Sequence, residues 1–258
     1  MSEHPLDNPA IVNNLFYPRT AIQGNSRIPN TQDGHIPVDG EIKLGYRLYQ
    51  PENPRCVVIF FHGNGEVASD YDSLVGEYFR LDCAFLAVDY RGYGWSTGKP
   101  RTTTFLTDAE SVIPALPDVL GDLNDLPRYI MGRSLGSAPA IHLAHKFPEQ
   151  FKALIVESGF ADMPSVFKRL GIPVDLSTIT DLPVGNARTM QEIKLPLLVI
   201  HGENDNLLPV HNGQKIYDAS PSDDKRIMRI PRVGHNDLMV HGANAYFGAI
   251  KKLIDETT

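Results

Sequence analysis

Residues 132–136 read Gly-Arg-Ser-Leu-Gly, directly after the β-prone run Arg128-Tyr129-Ile130-Met131 and directly before an apolar, Ala-rich stretch over 138–147. A serine held between two glycines where a strand turns into a helix is the setting of a nucleophile elbow. The glycines two before and two after Ser134 let strand and helix pass closely while the serine occupies a sharp, strained turn. Ser134 is therefore the candidate nucleophile. The pentapeptide alone fits equally a glycine-flanked serine in an ordinary turn, so its partners decide.

A serine hydroxyl is a weak nucleophile at neutral pH and needs a base to take its proton and a carboxylate to orient that base. After the apolar run 196–200 comes His201-Gly202-Glu203-Asn204-Asp205, closed by Leu207-Leu208-Pro209. Asp205 thus lies beyond a strand end, where an orienting acid belongs, with Glu203 a nearby rival. Asp205 could also serve only as a helix cap, although Pro209 and the flanking asparagines already supply turn chemistry. Farther on, 226–230 reads as a strand followed by Val233-Gly234-His235-Asn236-Asp237, which makes His235 the candidate base. His142 and His145 fall on the helix after Ser134, and His4, His35 and His211 lack a strand-end setting.

Acyl transfer also requires two N–H groups aimed at the oxygen that becomes negative. The run Val57-Val58-Ile59-Phe60-Phe61 ends in His62-Gly63-Asn64-Gly65-Glu66. By position the donors are the amides of Asn64 and of Leu135, the residue after the nucleophile. Gly63 and Gly65 let that backbone turn inward and are expected beside the substrate, with His62 bracing the loop. Arg133 has two readings: steering an anionic substrate, or bracing the elbow through a carboxylate.

The elements that must carry these residues alternate. Strands are expected over 41–50, 57–61, 84–89, 128–132, 152–157, 196–201 and 226–230. Helices are expected over 69–80, 104–120, 135–147, 162–170, 210–219 and 241–255, the second shortened or kinked by Pro114 and Pro117. Such alternation implies α/β architecture, a mostly parallel twisted sheet of about eight strands with helices on both faces. Residues 1–35 read as an irregular N-terminal arm and 36–258 as the main domain. Within it, 160–190 departs from a single crossover helix, because Pro164, Pro173, Pro183, Gly171 and Gly185 break it into pieces. This small cap or lid carries Phe160, Met163 and Phe167, expected to line an acyl or aromatic pocket; the alternative is that these side chains only pack the crossover onto the sheet.

At 258 residues, 42% hydrophobic and 21% charged, the chain has the composition of a soluble globular domain. A net charge of -7 offers no basic surface for nucleic acid or an anionic membrane. No run approaches the roughly 20 apolar residues of a membrane span, and residues 1–31 lack a secretory-signal pattern, so a cytoplasmic location is the expectation. Cys56 and Cys83 each precede an apolar strand and read as free buried thiols, close together if their strands are neighbours. No Cys/His spacing suggests a metal and no glycine-rich loop a nucleotide, so no cofactor is expected.

Together, these motifs resemble the α/β-hydrolase superfamily from about residue 42 onward. Besides the elbow, the histidine-glycine loop and the two loops carrying Asp205 and His235, the segment 84–88 followed by Asp89-Tyr90-Arg91-Gly92-Tyr93-Gly94-Trp95-Ser96 is similar to the family's strand and turn. Glu157-Ser158-Gly159-Phe160 and Phe16-Tyr17-Pro18-Arg19 resemble single-domain serine hydrolases related to serine aminopeptidases and acyl-protein thioesterases. The resemblance implies the α/β-hydrolase fold and a serine hydrolase acting on a small acyl substrate, an ester or thioester, through Ser134, His235 and Asp205. An aminopeptidase-like amide hydrolase, with Glu66 or Glu157 receiving the substrate amine, and a non-catalytic binding protein are the alternatives. Dehalogenase or epoxide hydrolase chemistry is disfavoured, since Ser134 stands where those relatives need an aspartate.

Overall fold

Strand β3, Cys56–Phe61, shows why the sheet is buried on both faces: none of its residues is more than 1% exposed. Successive strand side chains point to opposite faces, so an unbroken apolar run is stable only where both faces are covered. The computed structural model, which describes residues 4–172 and 185–258, puts β3 at the centre of one eight-stranded sheet. Its other strands are β1 (Thr31–Asp39), β2 (Ile42–Tyr49), β4 (Cys83–Val88), β5 (Arg128–Arg133), β6 (Ala153–Glu157), β7 (Leu197–Gly202) and β8 (Lys225–Ile230). Their order is β1-β2-β4-β3-β5-β6-β7-β8. From β4 to β8 neighbours pair in parallel, whereas β2 pairs antiparallel with β1 and β4. The protein has the α/β-hydrolase fold.

The seven expected strands all form, with ends displaced by one residue at most places. The eighth departs from the expected irregular arm over 1–35. Pro9–Leu15 is helical (α1), capped by the Asn8 side chain, and Thr31–Asp39 pairs with β2 across a two-residue turn in which Gly40 has φ +53°. A glycine at the first central position of a two-residue turn is a hairpin signal. It was masked because β1 is an edge strand in which Ile36 alone is buried, and Pro37 is tolerated at an edge.

The expected helix over 104–120 is two helices, Phe105–Glu110 (α2) and Val112–Leu120 (α3). A proline ring clashes with the carbonyl four residues back, which for Pro114 is Glu110, and the first helix ends there. Within 160–190, Met163–Leu170 (α4) ends at Gly171 with φ +66°, and Asn186–Met190 (α5) lies beyond the segment outside the described residues. Residues 173–184 of the expected 160–190 cap, including Pro173, Val174, Leu176, Ile179 and Pro183, lie outside the described residues. Cys56 and Cys83 are register partners on β3 and β4, both buried as free thiols with sulfurs 3.1 Å apart.

Because β3, β5, β7 and β8 run parallel, the loops leaving their C-terminal ends open along one edge of the sheet. Those loops begin at residues 62, 134, 203 and 231, and they carry Asn64, Ser134, Leu135, Asp205 and His235.

Candidate active site

Strand β5 ends at Arg133, a 3-10 turn holds Ser134–Gly136, and the helix Ser137–Lys146 leads away. Ser134 sits at φ +52°, a left-handed conformation rare outside glycine. The surroundings enforce it. A Cβ at Gly132 would lie 2.1 Å from the Gly136 carbonyl oxygen, and one at Gly136 would lie 2.0 Å from that of Phe61, so strand, turn and helix close only without side chains at both positions. Ser137 Oγ donates to the Ser134 carbonyl at 2.7 Å and pins the turn from the helix side.

The three polar groups meet. His235 Nε2 is 2.9 Å from Ser134 Oγ, and His235 Nδ1 is 2.7 Å from Asp205 Oδ2. All three residues are buried, at 6%, 8% and 3% exposure for Ser134, His235 and Asp205, so these contacts form away from bulk water. Asp205 Oδ1 accepts the amides of Leu207 (2.9 Å) and Leu208 (2.7 Å). Burial works to raise the Asp205 carboxyl, but the bonds from His201 and His235 and the Leu208 amide outweigh it and hold it well below the ordinary carboxylate range. An ionised, acceptor-only Asp205 leaves the proton on His235 Nδ1, so Nε2 presents its lone pair to the serine. Glu203, the rival acid, is exposed.

His201 was not anticipated. Fully buried on β7, its Nε2–H donates to the Leu208 carbonyl at 2.7 Å and lies 3.3 Å from Asp205 Oδ2. It therefore ties together both ends of the loop that presents the carboxylate.

In the loop after β3, His62 Nδ1 contacts the Gly63 carbonyl at 2.8 Å while Nε2 lies 3.2 Å from Asp89. With that carbonyl held toward the imidazole, a trans peptide turns the Asn64 N–H the opposite way. The Asn64 side chain is fixed by donating to the Leu15 carbonyl and accepting from the Tyr17 amide and the Tyr93 hydroxyl, at 2.7, 2.9 and 2.7 Å.

A cavity opens over Ser134 between Asn64 and Leu135 and is walled by Leu15, Phe160, Met163, Val166, Leu207 and Leu208, with Arg169 at its margin. Phe160 and Met163 line it as the sequence suggests. Three expected lining residues lie elsewhere. Phe167 is buried in the core. Gly63 faces away, where a Cβ would come within 2.5 Å of Arg133 Nη1, and Gly65, at φ +76°, faces Tyr17. Both glycines shape the backbone of the loop and are not part of the cavity wall. Leu15, Leu207 and Leu208 escaped notice because they are isolated leucines at loop and helix ends, without periodicity; the one available signal was an apolar pair inside the polar loop beside Asp205.

Arg133 and the two acidic candidates form one cluster on the other side of the elbow. The guanidinium bonds Glu66 through Nη1, reaches Glu157 through Nε at 3.1 Å, and donates from Nη2 to the His235 carbonyl (3.0 Å) and to Asn236 Oδ1 (2.9 Å). Of its two readings, the brace through carboxylates is the observed arrangement. Burial pushes the Glu157 carboxyl up, against the opposing pull of Arg133 and of the Tyr246 hydroxyl.

The family model described as "Serine aminopeptidase, S33" matches residues 52–173 and 176–239 of this sequence. The chain belongs to this α/β-hydrolase family. It is 32% identical over 199 residues to the putative α/β hydrolase L404 of Acanthamoeba polyphaga mimivirus, covering 74% of this chain and 72% of that protein. It is 29% identical over 207 residues to the α/β hydrolase domain-containing protein aho-3 of Caenorhabditis elegans, covering 79% of this chain but 58% of that relative. The solved Esterase Pf2001 of Pyrococcus furiosus superposes with a TM-score of 0.72 at 16% identity, over 88% of this chain and 92% of that one. The S33-family chain is a hydrolase. Among its described residues, no helix is long and apolar enough to cross a membrane.

Proposed function

We propose that the protein is a serine hydrolase that cleaves a carboxylic ester or thioester through an acyl-enzyme. The observation that carries this reading is the unbroken chain from Ser134 Oγ to His235 to Asp205, at 2.9 and 2.7 Å, opening on an apolar cavity. As Ser134 Oγ attacks the substrate carbonyl, its proton passes to His235 Nε2, and Asp205 stabilises the imidazolium. The Asn64 and Leu135 amides receive the oxyanion. His235 then protonates the leaving alcohol or thiol, and water repeats the sequence on the acyl-enzyme. Phe160, Met163 and their neighbours hold the acyl group by burial, which suits a small to medium hydrocarbon chain.

The test is labelling by a fluorophosphonate probe together with hydrolysis of p-nitrophenyl esters. Ser134→Ala is expected to abolish labelling and to lower turnover by about a million-fold while the protein stays folded. Labelling that survives the substitution overturns the assignment, and a wild-type protein that neither labels nor turns over esters is a binding protein. The family description favours a second reading, release of N-terminal residues, for which a carboxylate should meet the substrate amine. Glu66 and Glu157 are engaged by Arg133 away from the cavity, and no carboxylate lines the cavity among the described residues. Aminoacyl p-nitroanilides cleaved faster than acyl esters would reverse that preference.

A further inference from the structure

The proposed acyl transfer gives Arg133 no step of its own, yet the brace it forms beside Ser134 engages four acceptors. Its side chain is 13% exposed, and its four acceptors come from three separate segments: Glu66 after β3, Glu157 at the end of β6, and the His235 carbonyl with Asn236 after β8. Glu66 passes the connection on. Its Oε2 accepts the Gly63 amide at 2.8 Å and the Tyr71 hydroxyl at 2.7 Å, so Arg133 reaches the backbone one peptide away from the Asn64 amide. Gly63 is shaped to admit the guanidinium, since any side chain there would collide with it.

We propose that Arg133 is a positioning residue that couples the base-bearing loop to the loop holding the oxyanion donor, aligning His235 Nε2 and the Asn64 amide with Ser134 together. The inference rests on the serine hydrolase reading. His235 lies in a loop, five residues beyond the end of β8 and three before the short helix Leu238–His241. Its backbone carbonyl is held from Arg133, which leaves β5 next to the nucleophile itself. Among the ties on this loop, which include the Asn204 amide to the Val233 carbonyl and the Gly234 amide to Asp237, the guanidinium is the one that runs directly from the nucleophile's strand to His235. A displacement of about 1 Å between reacting groups costs about a hundredfold in rate, so loosening that link should be read in turnover. A planar guanidinium offers five donors in a rigid fork, whereas a lysine ammonium is a compact point charge that cannot reach acceptors spread this way. Arg133 does not line the cavity over Ser134, so binding of an acyl chain should be indifferent to its loss.

The experiment measures kcat and KM for p-nitrophenyl butyrate, and the rate of fluorophosphonate labelling, in the full-length protein. Arg133→Ala and Arg133→Lys are both expected to lower kcat by about a hundredfold, with KM nearly unchanged. Guanidinium ion at low, non-denaturing concentration should restore several-fold of the lost kcat in the alanine variant. It would enter from the cavity of about 250 Å³ lined by Arg133, Glu66, Glu157 and Tyr246. If the alanine variant does not fold, Glu66→Gln and Asn236→Ala serve instead. Both residues bond Arg133, and the double variant should lose at least threefold less kcat than the product of the single losses, by the logic of a mutant cycle. A folded Arg133→Ala protein with unchanged kcat, a loss confined to KM, or additive losses in the cycle would each overturn the positioning role while leaving the wild-type hydrolase intact. A wild-type protein without labelling or turnover overturns both proposals, which separates the two failures.

Discussion

The two sides of Ser134 are built on opposite principles. Behind it, Arg133, Glu66, Glu157, Asn236 and two tyrosine hydroxyls satisfy one another at fixed angles, and Asp205 accepts from two amides and His235. In front of it, leucines, Phe160, Met163 and Val166 form a largely apolar wall, with Asn64 and Arg169 its polar members besides Ser134. Hydrogen bonds fix geometry to fractions of an ångström, whereas apolar burial responds to volume and area. The first side therefore specifies a reaction and the second a range of sizes. This difference explains why the chemistry of the chain is easier to read than its substrate.

The contrast can be broken first at Asp205. Asp205→Asn replaces the acceptor facing His235 Nδ1 and lets the imidazole take the wrong tautomer, so kcat should fall about ten-thousandfold with KM little changed, as steady-state kinetics on a short ester will show. The front side should behave otherwise. Val166→Trp narrows the cavity, and kcat/KM for octanoyl esters should fall at least tenfold relative to acetyl esters, with labelling of Ser134 by a small fluorophosphonate unaffected. Equal losses for both chain lengths would mean that the cavity does not hold the acyl group.

The smallest effect sharpens the polar side. The carboxyls of Asp205 and Glu66 are held below their ordinary values of 3.8 and 4.5; at Glu66 burial is outweighed by Arg133, Tyr71 and the Gly63 amide. A folded-state value below the unfolded one contributes stability above the unfolded value that is lost as pH falls through the folded value. Stability should accordingly decline as pH drops below about 4.5, and urea titrations of Asp205→Asn should show a shallower decline, whereas Val166→Trp should leave the slope unchanged.

What could be read from the sequence follows the same division. Continuous apolar runs announced the buried strands, and strand ends announced Ser134, Asp205 and His235, because a parallel sheet forces functional loops to one edge. Strand β1 was hidden since an edge strand with one buried residue leaves almost no periodic trace. Phe167 was misplaced because an apolar residue on a helix reads the same whether it faces a cavity or the core. Arg133 was readable only as a pair of alternatives. Two of its partners, Glu66 and His235, lie 67 and 102 residues away in the chain, and their convergence is a property of the folded sheet.

The contact between Ser134 and His235 closes a loop of 101 residues, and Asp205 arrives from a point between them. Contacts of such long range carry a loop-closure entropy cost that local contacts do not. A chain still emerging during synthesis, or one whose last strand has detached, would carry its serine without its base. Under the proposed mechanism, reactivity at Ser134 is a report on completion: it requires the loop after β8 to be in place, so partly folded chains would be chemically silent.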